Sequence, residues 1–226
     1  MCSRYSLTSP PEAVRSYFRA RNKPEFPPRY NIAPTQPVLI VRLDHKAERE
    51  LTLVRWGLVP SWVKNPDEFT TLINARSETA AEKPSFRAAL RHRRCLVPVG
   101  GFYEWPGEPG AKRPHLLRPR SGGPMALAGI AEHWMSADGS EVETMAILTV
   151  TANRTVSAVH DRMPVILAPQ DFDLWLDCRP GTAVDAAPLM VPAAEDLLEI
   201  VEVSAKLNNV RNEGPAVQEM APKSLL

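Results

Sequence analysis

Cysteine is scarce and unpaired. The chain of 226 residues holds three, Cys2, Cys95 and Cys178. They are widely spaced and odd in number, so no disulfide framework is indicated, and no CxxC pair marks a zinc site. That usage fits a reducing compartment. No apolar run approaches the ~20 residues of a membrane span, and no basic-then-apolar leader opens the chain. The chain is therefore expected in the cytoplasm, nucleoid-associated if bacterial. Neither sign of charge dominates, since 27 Lys and Arg against 26 Asp and Glu leave a net +1. No whole-molecule field draws it to a polyanion, so a nucleic-acid surface has to be a local cluster of arginines. Internal repeats, low-complexity tracts and long linkers are also missing. One domain, 1–226, is expected.

Proline is what the chain has in plenty, with 23 residues scattered throughout. That argues against long helices and for short extended pieces joined by turns. Ser9-Pro10-Pro11-Glu12 reads as a capping box opening a helix to about Arg21. Pro24 to Pro37 cannot be helical, and Tyr30 to Gln36 within it reads as an extended loop. Strands are expected at Val38–Leu43, Leu51–Leu58, Cys95–Val99, His115–Leu117, Ala126–Trp134 and Thr144–Thr151, with a hairpin at Asp138-Gly139. Gly107 to Pro114 reads as a turn. Helices are expected at Pro84–Arg93, Asp171–Leu176 and Ala193–Glu199. Strands outnumber helices without regular alternation. The fold class is therefore α+β, a single domain with a curved, barrel-like mixed or antiparallel β-sheet and a few short flanking helices.

Four residues carry candidate chemistry. Removal of Met1 would leave Cys2 at the N-terminus with an amine and a thiol on adjacent carbons, both partly deprotonated near neutral pH. Amine attack on an aldehyde gives an imine, and the thiolate then closes a five-membered thiazolidine. Glu104 lies between Tyr103 and Trp105 at a buried strand end, where desolvation would raise its pKa into the range of a working acid. A strand-end glutamate facing water is the competing reading. His160 can move a proton near pH 7, or it can be an ordinary histidine satisfied by backbone. Asn74 follows Leu72-Ile73 and, if buried, needs partners that a site for an amine or sugar hydroxyl would supply. It can equally be a turn residue. Arg4, Arg76 and Arg162 follow Cys2, Asn74 and His160 by two positions, which on extended chain is the same face. Together they would line a pocket suited to phosphates.

The ordered set Met1-Cys2-x-Arg4, Tyr30-Asn31-x-Ala33-Pro34, Trp56-Gly57-x-x-Pro60-x-Trp62, Asn74-Ala75-Arg76-x-Glu78-Thr79, Gly101-Phe102-Tyr103-Glu104-Trp105, His160-x-Arg162-Met163-Pro164 and Val203-Ser204-x-x-Leu207-Asn208 resembles the SRAP family. These are the SOS-response-associated peptidase, or abasic-site-processing, proteins. The resemblance runs over nearly the whole chain. Ser3 stands where relatives usually have glycine, and Val63 where some carry a second tryptophan.

The resemblance implies covalent cross-linking to abasic sites in single-stranded DNA or at single-strand/double-strand junctions, in the DNA damage response, through a thiazolidine at Cys2. Glu104 would assist proton transfer, His160 would hydrogen-bond the sugar oxygen, and Asn74 would hold Cys2. Arg4, Arg76 and Arg162 would grip phosphates, Trp62 and Pro34 would pack on bases, and Asn31 would contact the DNA backbone. The peptidase label fits self-catalysed removal of Met1, which an aminopeptidase could also perform. The expected protein is a monomer with no metal or organic cofactor, working beside replication or repair proteins. Two other classes stay open: a non-covalent reader of single strands or junctions, and an N-terminal-nucleophile amidohydrolase.

Overall fold

A computed structural model describes residues 2–108 and 110–221. Met1 and Pro109 lie outside them, and with them parts of the expectations for a removable methionine and for the Gly107–Pro114 turn. In chain order the strands are β1 (Tyr5–Leu7), β2 (Arg29–Ile32), β3 (Pro37–Leu43), β4 (Arg49–Trp56), β5 (Asn74–Arg76), β6 (Arg94–Val99), β7 (Gly101–Glu104), β8 (His115–Pro119), β9 (Met125–Met135), β10 (Glu141–Thr151), β11 (Arg162–Pro164), β12 (Ile166–Leu167) and β13 (Leu198–Glu202). Among the described residues six short α-helices flank them: α1 (Pro11–Phe18), α2 (Ser77–Ala80), α3 (Arg87–His92), α4 (Arg154–Ser157), α5 (Phe172–Leu176) and α6 (Ala183–Ala186).

Five strands close on themselves. β3 pairs β4, β4 pairs β10, β10 pairs β9, β9 pairs β6, and β6 returns to β3. Only the β4–β10 junction is parallel, so this is a mixed five-stranded barrel. Closure removes the free edges that a sheet would otherwise expose. β5 and β11 extend β10 beyond the barrel, and β12 extends β9. A second sheet, antiparallel throughout, runs β13-β8-β7-β1-β2. Residues from both sheets share one buried cluster that includes Tyr5, Leu7, Phe102, Ile40, Leu96, Leu127 and Ile147. The fold is therefore α+β and built on one core. Gly101 opens β7 where a Cβ would sit 2.8 Å from the Leu117 carbonyl, so the β7–β8 approach requires glycine.

Several local expectations change. The Ser9 capping box does not form: Pro10 is the N-cap and makes no side-chain bond, and Arg19 in left-handed conformation ends α1 before Arg21. The segment read as extended loop at Tyr30–Gln36 begins as a true strand, because β1 supplies β2 with a partner. The basic helix contracts to Arg87–His92. Ala193–Glu199 is not helical, since its end becomes β13 and covers the edge of β8. The Asp138-Gly139 hairpin is present, with Gly139 at positive φ.

Candidate active site

Cys2 precedes β1 and is fully buried. The β1–β7 register pairs Tyr5 with Phe102, and the Tyr103 N–H donates to the Arg4 carbonyl at 3.0 Å. That register carries Glu104, the last residue of β7, alongside the start of the chain. Burial pushes the Cys2 thiol far above its ordinary value, and the Glu104 carboxylate pushes it further. The thiol is therefore protonated at neutral pH. Glu104 is itself buried. Desolvation raises its pKa to about 7, and the charge of Asp161 adds to the rise. A carboxyl at that value is present in both forms near neutral pH, as proton transfer in either direction requires.

Asn74 starts β5, which lies parallel to β10 with Asn74 opposite Ile147. The Trp56 indole N–H donates to the Ile73 carbonyl at 3.0 Å and fixes the peptide just before it. Asn74 Nδ2 donates to the Cys2 carbonyl at 2.8 Å. Its Oδ1 is buried and accepts no hydrogen bond from any described residue.

His160 follows α4 and leads into β11. Its Nδ1 lies 2.9 Å from the Arg162 backbone N–H and 2.8 Å from Asp161 Oδ1. An amide always carries its proton, whereas Asp161 is solvent-exposed, so we assign Nδ1 as the acceptor and the proton to Nε2. Desolvation lowers the His160 pKa, which keeps this neutral form populated. The four candidate catalytic residues thus fall in one region: Asn74 bonds Cys2, Glu104 acts on the Cys2 thiol, and the neighbour of His160 acts on Glu104.

The candidate DNA contacts divide. Asn31 is fully buried. Its Oδ1 accepts from Arg4 Nη1 at 2.7 Å, and its Nδ2 faces the carbonyls of Asn209 and Asn212 at 3.0 and 2.9 Å. Its carboxamide is spent inside the protein, where it anchors the loop at 209–212 to Arg4. Arg4 also bonds the Leu207 carbonyl at 3.3 Å and lies over the Trp105 ring. Arg162 is committed to Glu78 and Thr149. Of the three arginines expected to line a phosphate pocket, Arg4 and Arg162 are thus engaged with protein groups, whereas the Arg76 side chain is exposed and makes no hydrogen bond or ion pair with a described residue. Trp62 is exposed and edge-on to Phe69. Pro34 is half-buried in a turn that the Thr35 N–H ties to the Trp56 carbonyl at 2.8 Å. Val63 packs under Trp134, whose indole donates to its carbonyl at 2.6 Å.

Residues that residue-by-residue reasoning passed over are Trp105, Asn208 and Glu78. Trp105 Nε1 donates to Asn208 Oδ1 at 2.7 Å, tying the residue after Glu104 to the late loop. All three stand in the quoted motifs, which was the signal available. A cavity of about 670 Å³ lies elsewhere, and its lining includes the ion pairs Arg93–Glu132 and Arg42–Glu143.

The chain is 35% identical over 223 residues to the abasic site processing protein YoqW of Bacillus subtilis, covering 97% of this chain and 99% of that one. It is 33% identical over 245 residues to the abasic site processing protein HMCES of Mus musculus, covering 91% of this chain and 68% of that one. A crystal structure of a Bordetella bronchiseptica protein, 28% identical, matches with a TM-score of 0.77 over 90% of this chain and 100% of that one. A Bacteroides thetaiotaomicron protein, 24% identical, shares the fold with a TM-score of 0.85 over 98% of this chain and 100% of that one. Residues 1–210 match the SOS response associated peptidase family, and the chain belongs to that family, SRAP.

Proposed function

We propose that this protein processes abasic sites in single-stranded DNA by capturing the open-chain aldehyde of the lesion on Cys2 as a thiazolidine. The observation that carries the reading is the Asn74–Cys2 hydrogen bond beside a carboxyl poised near pH 7. The relatives named abasic site processing proteins supply the substrate class.

With Met1 in place the Cys2 nitrogen is an amide, so hydrolysis of the Met1–Cys2 bond comes first, by the protein itself or by an aminopeptidase. The freed amine then attacks C1′ of the aldehyde to give a carbinolamine. Glu104 protonates the departing hydroxyl, water leaves, and an iminium remains. The Cys2 thiol is held protonated by its burial. Glu104, now a carboxylate, accepts the thiol proton as sulfur adds to the iminium carbon. One C–N and one C–S bond form, the carbonyl oxygen leaves as water, and the ring closes. His160, with its proton on Nε2, donates to the sugar oxygen during ring opening. Asn74 holds the Cys2 carbonyl while its open Oδ1 accepts from the Cys2 amine.

Arg76 grips a phosphate, and Trp62 and Pro34 pack on bases. Arg4 and Asn31 act from behind, fixing the strand that carries Cys2. The protein works in the cytoplasm on the DNA itself.

The test is intact mass and denaturing-gel migration after mixing protein with single-stranded DNA containing one abasic site, beside Cys2→Ala. A heat-stable adduct of protein lacking Met1, absent in the variant, is expected. No adduct despite Met1 removal and measurable DNA binding would sink the reading in favour of non-covalent binding.

A further inference from the structure

Strand β10 separates two elements of the site. On one edge β5 sets Arg76 opposite Thr149, and α2 follows with Glu78 in its first turn. On the other edge β11 sets Pro164 opposite Thr149 and Arg162 opposite Thr151. The Arg162 side chain crosses β10 between them. Its Nη2 donates to the Thr149 carbonyl at 2.7 Å and lies 3.2 Å from Thr149 Oγ1. Its Nη1 and Nη2 then reach the two carboxylate oxygens of Glu78 at 2.5 and 2.9 Å. This is a fork-to-fork pair, the geometry that fixes orientation as well as charge. The Arg162 side chain is only 13% exposed, so water competes for it weakly. Thr149 Oγ1 continues the line to the Ala75 carbonyl at 3.4 Å.

The strap joins the two catalytic segments. Glu78 lies four residues after Asn74, and Arg162 two after His160. The Arg162 main-chain N–H is the donor that occupies His160 Nδ1. We propose that Glu78 is a positioning residue for the cross-linking reaction, acting through Arg162 to hold His160 in its Nε2–H tautomer and in register with Asn74. Released from Glu78, the Arg162 N–H holds Nδ1 less firmly, and His160 Nδ1 can take a proton and donate it to the Asp161 carboxylate 2.8 Å away. The proposal rests on the abasic-site reading for its reaction, though not for its geometry.

The experiment compares wild type, Glu78→Gln, Glu78→Asp and Arg162→Lys by three measurements. Nitrogen-15 NMR of the His160 ring without DNA is the first. Wild type is expected to show an unprotonated Nδ1, and Glu78→Gln and Arg162→Lys a mixture. The second is the single-turnover rate with single-stranded DNA carrying one abasic site. It is expected to fall about tenfold in Glu78→Gln and Arg162→Lys, with Glu78→Asp in between because it keeps the charge but loses reach. The third is affinity for undamaged single strands across salt concentrations, expected to be unchanged in value and slope. Unchanged tautomer and rate would overturn the proposal. So would tighter, steeper salt-dependent binding in Glu78→Gln, which would make Glu78 a cover over a phosphate-gripping arginine. If wild type forms no adduct, the abasic-site reading fails by itself, and the ring measurement still decides the strap.

Discussion

Asn74 donates to the Cys2 carbonyl at 2.8 Å while its own carbonyl oxygen is buried with no hydrogen bond from a described residue. A buried acceptor in that condition costs roughly 1–3 kcal/mol, so it is a position where a reactant's donor gains strongly. Asn74→Asp is the sharpest change. It keeps the shape and the acceptor, removes the donor to Cys2, and adds a charge beside Glu104. The cross-linking rate is expected to fall about a hundredfold, against about tenfold for Asn74→Ala, which loses the same donor without adding a charge. Single-turnover gels measure both. A wild-type rate in Asn74→Ala would show that the amide donor does not orient Cys2.

The raised pKa of Glu104 makes a stability prediction with a definite sign. The folded carboxyl titrates at about 7 and its ordinary value is 4.5, so the native state binds the proton more tightly. The stability linked to that proton is present in full below about pH 4.5 and is lost as pH rises through 7. Glu104→Gln is neutral at all pH and never suffers the loss. The variant should gain stability relative to wild type between pH 4.5 and 7, reaching a plateau of roughly 3 kcal/mol above it. Urea unfolding at pH 5 and pH 8 measures the difference. The same variant should lose cross-linking, because glutamine neither gives nor takes the proton. A gap between variant and wild type no larger at pH 8 than at pH 5 would mean that the carboxyl is not desolvated.

The strands of the barrel were legible because they are short, apolar and bounded by turns. Cys95–Val99 and Ala126–Trp134 read as strands from composition alone, and both are. Their closure into a ring was not legible. It depends on the parallel contact of Arg55 and Trp56 with Thr144 and Met145, residues far apart in the chain. The spacing of apolar residues in Ala193–Glu199 suits a helix, yet the open edge of β8 draws its end into a strand. At the site, Cys2 and Glu104 could be read from their chemistry. The partners of Arg4, Asn31 and Arg162 could not, because Leu207, Asn209 and Glu78 reach them only through the tertiary fold.

Asn31 separates a structural anchor from a DNA contact. Its carboxamide joins Arg4 of the N-terminal strand to the carbonyls of Asn209 and Asn212, and no part of it is exposed. Asn31→Ala is expected to cost about 3 kcal/mol, the range for breaking a buried polar network. Amide hydrogen exchange in residues 204–218 should accelerate with it. Loss of DNA affinity at unchanged stability would reverse the assignment.

Trp62 and Arg76 should behave in the opposite way. Trp62 is 57% exposed and meets Phe69 edge-on, and the Arg76 side chain makes no hydrogen bond or ion pair with a described residue, so neither side chain holds the core together. Trp62→Ala and Arg76→Ala are each expected to leave unfolding within about 0.5 kcal/mol of wild type. Their effects on binding should differ in kind. Stacking on a base is worth about 1–3 kcal/mol and does not depend on released ions, so Trp62→Ala should weaken single-strand binding about 5- to 100-fold at every salt concentration. A phosphate contact releases a counterion, so Arg76→Ala should flatten the salt dependence by about 0.7 in slope, with most of the loss at low salt. Fluorescence anisotropy of an undamaged oligonucleotide over a salt series reads both. An Arg76→Ala slope equal to that of wild type would remove Arg76 from the phosphate contacts and leave this face to stacking alone.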